Sequence, residues 1–96
     1  MPEYVRVATF DADEGAIETL RKEIESTGGA PEGVPATGVT VLADRAGGKI
    51  RIVARFGSEE DLRKGSETLD AMNPPADVNM RRTSVETYEV VLERRA

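Results

Sequence analysis

The chain has no histidine, no cysteine and no tryptophan among its 96 residues. Those absences exclude a disulfide, a thiolate nucleophile, an imidazole base, a Cys or His metal site and an axial His or Cys for haem. Apolar residues never run long enough to cross a bilayer. Met1-Pro2-Glu3 also lacks the basic-then-apolar pattern of a leader, so neither a signal nor a transmembrane segment is expected, and a cytoplasmic location follows by default. Positive charge is in deficit: 13 Lys+Arg against 18 Asp+Glu give 13 − 18 = −5. That balance argues against nucleic acid or an anionic membrane as a general partner. With 39% apolar residues, a chain of this length makes one globular domain, residues 1–96.

The elements follow from periodicity. Alternation from Tyr4 to Phe10 predicts a first strand. Asp11 to Glu14 then gives a turn and an acidic helix start, and Ile17, Leu20 and Ile24 recur at helical spacing until Thr27-Gly28-Gly29. Residues 28–36, with three Gly and two Pro, predict a long loop. A second strand is expected from Thr37 to Asp44 and a third from Lys49 to Phe56, joined at Arg45-Ala46-Gly47-Gly48. A four-residue turn pairs Asp44 with Lys49, Ala43 with Ile50, Val41 with Ile52 and Val39 with Ala54, which gathers the apolar side chains on one face. Ser58 with Asp61 reads as the cap of a second helix that Pro74 and Pro75 end after Asn73. A polar stretch, 76–82, leads to a fourth strand over Thr83–Glu93.

The order βαββαβ with right-handed crossovers predicts an α+β ferredoxin-like sandwich with an antiparallel sheet in the order 4-1-3-2. Val5, Val7, Val39, Val41, Ala43, Ile50, Ile52, Ala54, Tyr88, Val90 and Leu92 are expected to meet the helices. The other face is expected to carry Tyr4, Arg6, Ala8, Phe10, Thr40, Leu42, Arg51, Val53, Arg55, Glu89 and Val91. This mixture is too apolar to stand in water, so a second copy of the chain is the expected cover.

Four segments carry a family resemblance: Tyr4–Phe10, the hairpin Val39–Lys49, Phe56–Leu62 and Arg82–Val90. Together they resemble the dimeric α/β barrel proteins grouped around the antibiotic biosynthesis monooxygenases. The resemblance implies a homodimer whose paired open sheets form a barrel, with a small organic molecule bound inside or beside it. For an enzyme it implies oxygenation without metal or flavin, hence no cofactor. The chain departs from the haem-degrading branch, which uses a His and a Trp. It also departs from the oxygenases that hold substrate with Asn, Trp and His, since its only Asn residues are Asn73 and Asn79. No catalytic residue carries across.

The candidate ligand-binding residues are therefore Tyr4, Arg6, Phe10, Arg51, Arg55 and Glu89. Three guanidinium groups on one face suit a carboxylate, an enolate or a phosphate; as a plain ion-pair cluster they would be neutralised by Glu89, Asp44 or a partner's copies of these acids. Tyr4 and Phe10 would line an apolar pocket or simply pack. The 28–36 loop would act as a lid or merely connect. Glu59, Glu60 and Asp61 lie consecutively at a helix start, where they complement the dipole rather than converge on a metal. Gly47-Gly48 is a hairpin turn without phosphate-loop spacing. Alternatives stay open: a non-enzymatic dimer, a regulatory ligand-binding module of the same fold, or a single-stranded RNA binder. The last is opposed by the net charge and by Phe56, which faces away from Arg51 and Arg55.

Overall fold

The computed structural model describes residues 3–28, 31–72 and 79–94. The elements are β1 (Tyr4–Ala12), α1 (Glu14–Thr27), β2 (Gly38–Asp44), β3 (Lys49–Phe56), α2 (Glu59–Asp70) and β4 (Met80–Glu89). One antiparallel sheet runs β2-β3-β1-β4, the ferredoxin-like βαββαβ arrangement expected from the sequence. The expected hairpin register holds: Asp44 pairs with Lys49, Ala43 with Ile50, Val41 with Ile52 and Val39 with Ala54. Of the expected loop at 28–36, the described residues contain no helix or strand. α2 ends at Asp70, with Ala71 as its cap, three residues before the expected end at Asn73; Asn73 and the Pro74-Pro75 stop themselves lie outside the described residues.

Each helix is fixed by local chemistry. The Asp13 carboxylate accepts the Ala16 N–H at 2.8 Å, and α1 ends where Gly28 takes φ 79°, a left-handed turn that suits glycine. Ala16 and Ile17 form its buried side, with Leu20 packed beside them. The Ser58 hydroxyl caps α2 by accepting the Asp61 N–H at 3.1 Å, while Glu59, Glu60 and Asp61 occupy the positive end of the helix dipole.

The sheet face that meets the helices differs from the expected one in two strands. Arg6, Ala8, Phe10 and Ala12 are the buried alternate residues of β1; Ala8, Phe10 and Ala12 pack with Ala16, Ile17 and Ile50. Val5 and Val7 pair with Arg55 and Val53 on the opposite face. β1 runs on to Ala12, so Asp11 belongs to the strand, and its carboxylate takes Lys49 at 2.7 Å and Arg81 at 3.1 Å on the open side. A strand of period two that shows Asp11 to water must turn Arg6 inward.

In β4 the register shifts between Thr9 and Phe10, giving a bulge at Thr83, whose hydroxyl donates to the Thr9 carbonyl at 3.2 Å. Tyr88 therefore pairs with Val5 on the open face and Glu89 with Tyr4 on the helix side, the reverse of the expectation. β4 ends at Glu89 rather than Glu93, and Val91 and Leu92 are exposed, not packed.

A second cluster, Val34, Ala54 and Phe56 with Leu62 and Leu69, lies under α2. Gly65 lets that helix approach: a methyl group there would come within 2.7 Å of Phe56 Cζ, and Phe56 is fully buried. Gly65→Ala should lower stability by about 1–2 kcal/mol, because overpacking outweighs the roughly 1 kcal/mol of helix propensity that alanine gains. Gly15→Ala adds a methyl whose nearest contact is Asp13 Oδ1 at 3.6 Å, and it should raise stability by about 0.5 kcal/mol. Urea unfolding of both variants checks the contrast.

Candidate functional site

The six residues singled out in the sequence are divided by the sheet. Arg51 and Arg55 stand on the open face. Tyr4, Arg6 and Glu89 stand on the helix side, where Tyr4 pairs with Glu89 across the β1–β4 ladder. Phe10 is in the core beneath α1. The expected three-arginine cluster on one face therefore does not form, because the phase of β1 carries Arg6 through the sheet.

On the open face the charges are largely satisfied within the chain. Arg55 donates to Glu93 and, at 3.1 Å, to Glu3, and these carboxylates, Glu93 above all, raise its pKa. Both acids differ from the expected Glu89 and Asp44. Tyr88 donates to Glu86 at 2.7 Å, and that acceptor, more than burial, raises the phenol's pKa. Arg51 is exposed. Leu42 and Tyr88, each 51% exposed, add apolar surface to Val5, Val7 and Val53.

The helix side holds a different arrangement. Arg6 is 4% exposed, and its Nη2 donates to Asp70 Oδ1 at 2.6 Å at the last residue of α2. Arg82 of β4 reaches the same helix end, donating to the Leu69 carbonyl at 3.3 Å and the Asp70 carbonyl at 3.2 Å. α2 has no basic residue in its last turn; these two arginines from the sheet supply the cations that its exposed carbonyls favour.

The contact to Asp70 uses one end of the Arg6 guanidinium. Among the described residues its Nε is buried without an acceptor, and so is the Ser66 hydroxyl. Two such orphans cost about 1–3 kcal/mol each. Ser66 lies one helical turn before Asp70 on the stripe that carries Leu62 and Leu69 toward the sheet. Gly65 turns toward Phe56 and Val34 on the β3 side. Ser66 turns toward β4, where it lines a cleft of about 540 Å³ with Thr87, Leu62, Arg63, Glu59 and Glu60. Thr87 is the ladder partner of Arg6, but Arg6 itself is not among the residues that line the cleft.

Tyr4 is near the mouth of the same cleft. Burial, then the charges of Glu89 and Glu59, raise its phenol's pKa, so it is a protonated hydrogen-bond donor at neutral pH rather than a base. The cleft can therefore bind and orient an acceptor group. Ser66, Thr87, Asp70 and Arg82 were not among the sequence candidates; the available signal was a hydroxyl at position 66 on the otherwise apolar stripe of α2.

The chain matches no family model, no curated protein and no solved structure.

Asp70 is more than half exposed, so its attraction for Arg6 is screened, and the larger consequence of removing it is a stranded guanidinium. Asp70→Asn should destabilise by about 1–2 kcal/mol, while Arg6→Met, which removes the buried charge and keeps the stem, should be milder. Denaturant midpoints of the two variants and their double decide this; near-additive losses would contradict it.

Hydrogen bonds lower the pKa of Asp11 (from Lys49, then Arg81), Asp13 (from the Ala16 N–H, then Asn79) and Glu18 (from Arg45, then Arg21). Lowered carboxyl pKa values stabilise the fold above the ordinary values, 3.8 for Asp and 4.5 for Glu. That contribution disappears as pH falls through the lowered values. Tm should hold near neutrality and decline below those values, and Asp11→Asn should flatten the acid limb in a pH series of melting curves.

Proposed function

We propose that the protein is a homodimer of the dimeric α/β barrel type, resembling the antibiotic biosynthesis monooxygenases, that binds a small organic molecule beside its paired sheets. The observation that carries the dimer is the open face, where Val5, Val7, Val53, Leu42 and Tyr88 lie among charged groups with no layer of the described residues over them.

In part of its rows the ladder register suits this face to a second copy of itself. Consider a two-fold axis between two such faces, parallel to the strands and passing between β1 and β3. It sets β3 of one copy over β1 of the other, and β2 over β4. Row by row, Val53 then opposes Val7, Lys49 opposes Asp11, Asp44 opposes Arg81, and Gly38, which has no side chain, opposes Tyr88. Isologous contact requires this reciprocity of apolar with apolar and of cation with anion.

The bound molecule, in this reading, occupies the cleft between α2 and β4, which stays accessible when the open faces meet. The residues there hold and orient a ligand, and binding is the activity proposed. A regulatory module would show the same geometry, and single-stranded RNA fits poorly because Phe10 and Phe56 are both buried on the helix side.

Sedimentation equilibrium at micromolar concentration should give twice the 10.4 kDa chain mass. Val53→Glu, which places a carboxylate at the centre of the face, should yield a monomer with an unchanged circular dichroism spectrum. A monomeric parent protein would remove the dimer.

A further inference from the structure

We propose that the outer edge of β2 is a second interaction surface, distinct from the open face, which pairs with β2 of another copy and joins two four-stranded sheets into one. β2 is an outermost strand, and among the described residues no backbone group bonds to its outer side. Edge strands that must stay single are blunted by bulges, prolines, lysines or other charges. β4, the opposite edge, follows that rule: it has a bulge and four charged residues, Arg81, Arg82, Glu86 and Glu89. β2 has none of these devices along Gly38–Ala43. It keeps one register against β3 for seven residues, and its one charge, Asp44, stands at the end.

The sequence of β2 pairs with itself. A two-fold axis perpendicular to the sheet at Val41 sets Val41 against Val41 of the second copy, Thr40 against Leu42, Val39 against Ala43 and Gly38 against Asp44. Residues equally spaced from the centre share a face, so Val39, Val41 and Ala43 meet on the helix side and Thr40 and Leu42 on the open side. No like charges oppose each other. Gly38 has no side chain, and a methyl group placed there would meet nothing within 4 Å. Asp44 of the second copy therefore enters open space in the row that Gly38 shares with Arg55. In its own chain Asp44 accepts the Gly47 N–H at 2.9 Å and takes no cation among the described residues; the pairing sets it two strands from a guanidinium. Once both β2 edges are used, the edges left are the two blunted β4 strands, so this contact closes at two copies.

A single strand buries less than a whole face, so the edge contact forms at higher concentration than the open-face dimer. The test therefore starts from Val53→Glu, which removes the face contact, followed by sedimentation velocity from about 10 µM to about 1 mM. Its mass should climb from one copy towards two. Ala43→Lys in the same chain should raise the dissociation constant about tenfold or more, because it sets an ammonium group against Val39 of the second copy; Ala43 is exposed, so the fold keeps. The chain has no cysteine, which allows a second readout in the parent. Val41→Cys should form a disulfide-linked dimer under mild oxidation, since the axis places the two thiols across one ladder step, whereas Glu67→Cys on the exposed side of α2 should not. A Val53→Glu chain that stays monomeric throughout that range, association that Ala43→Lys leaves intact, or equal cross-linking at 41 and 67 would each overturn edge pairing. A parent protein that is monomeric at micromolar concentration, yet cross-links through Val41→Cys and not Glu67→Cys, would remove the open-face dimer and leave the edge contact standing.

Discussion

Two charged residues five positions apart on one straight strand cannot both face water when one side of the sheet is covered, and β1 carries Asp11 and Arg6. The outcome follows from their shapes. Asp11 is short, and under α1 its carboxylate would sit among Ile17, Ile50 and Ala16 with no cation in reach, a desolvation of several kcal/mol. On the open side it takes Lys49 and Arg81 instead. Arg6 has a long apolar stem, so it can lie within the layer and still bring its charged end to Asp70. Because β1 lies between β3 and β4, its phase determines that of the whole sheet.

The position of α2 follows from the same choice. A sheet that turns Arg6 inward, and Arg82 beside it through the β4 bulge, presents two guanidinium groups to the carbonyl end of that helix. Gly65 meanwhile brings the helix down on Phe56 on its β3 side. The helix is thus pressed close along one flank and held at its end, and the opposite flank stands off β4. The cleft is the space left by those two constraints.

How far the sequence reveals this depends on the element. The hairpin register was legible because Val39, Val41 and Ala43 face Ala54, Ile52 and Ile50 in only one pairing that keeps apolar side chains together. The helix caps at Asp13 and Ser58 follow from short-range chemistry. The phase of β1 is hidden within Tyr4–Phe10, because Val5 and Val7 outrank Arg6 and Ala8 in hydropathy. Carried two residues further, the alternation sets Asp11 against Ala12, and a carboxylate opposite an alanine decides the side. For β4 no such signal existed, since a bulge changes parity midway and hydropathy alternation then points both ways. The site residues divided accordingly: Arg51 and Arg55 fell where expected, while Tyr4, Arg6, Phe10 and Glu89 crossed the sheet.

The bulge at Thr83 also gives β4 slack. Arg82 and Ser84, two apart in the chain, serve opposite faces, which an unbroken pleat forbids. Losing one residue at this point would restore regular pleating yet leave Met80 and Arg82 under the helices and Ser84, Glu86 and Tyr88 outside. Elsewhere in the sheet the same deletion would turn half a strand inside out. The last strand thus holds a spare link, and length variation among descendants of this chain should collect there.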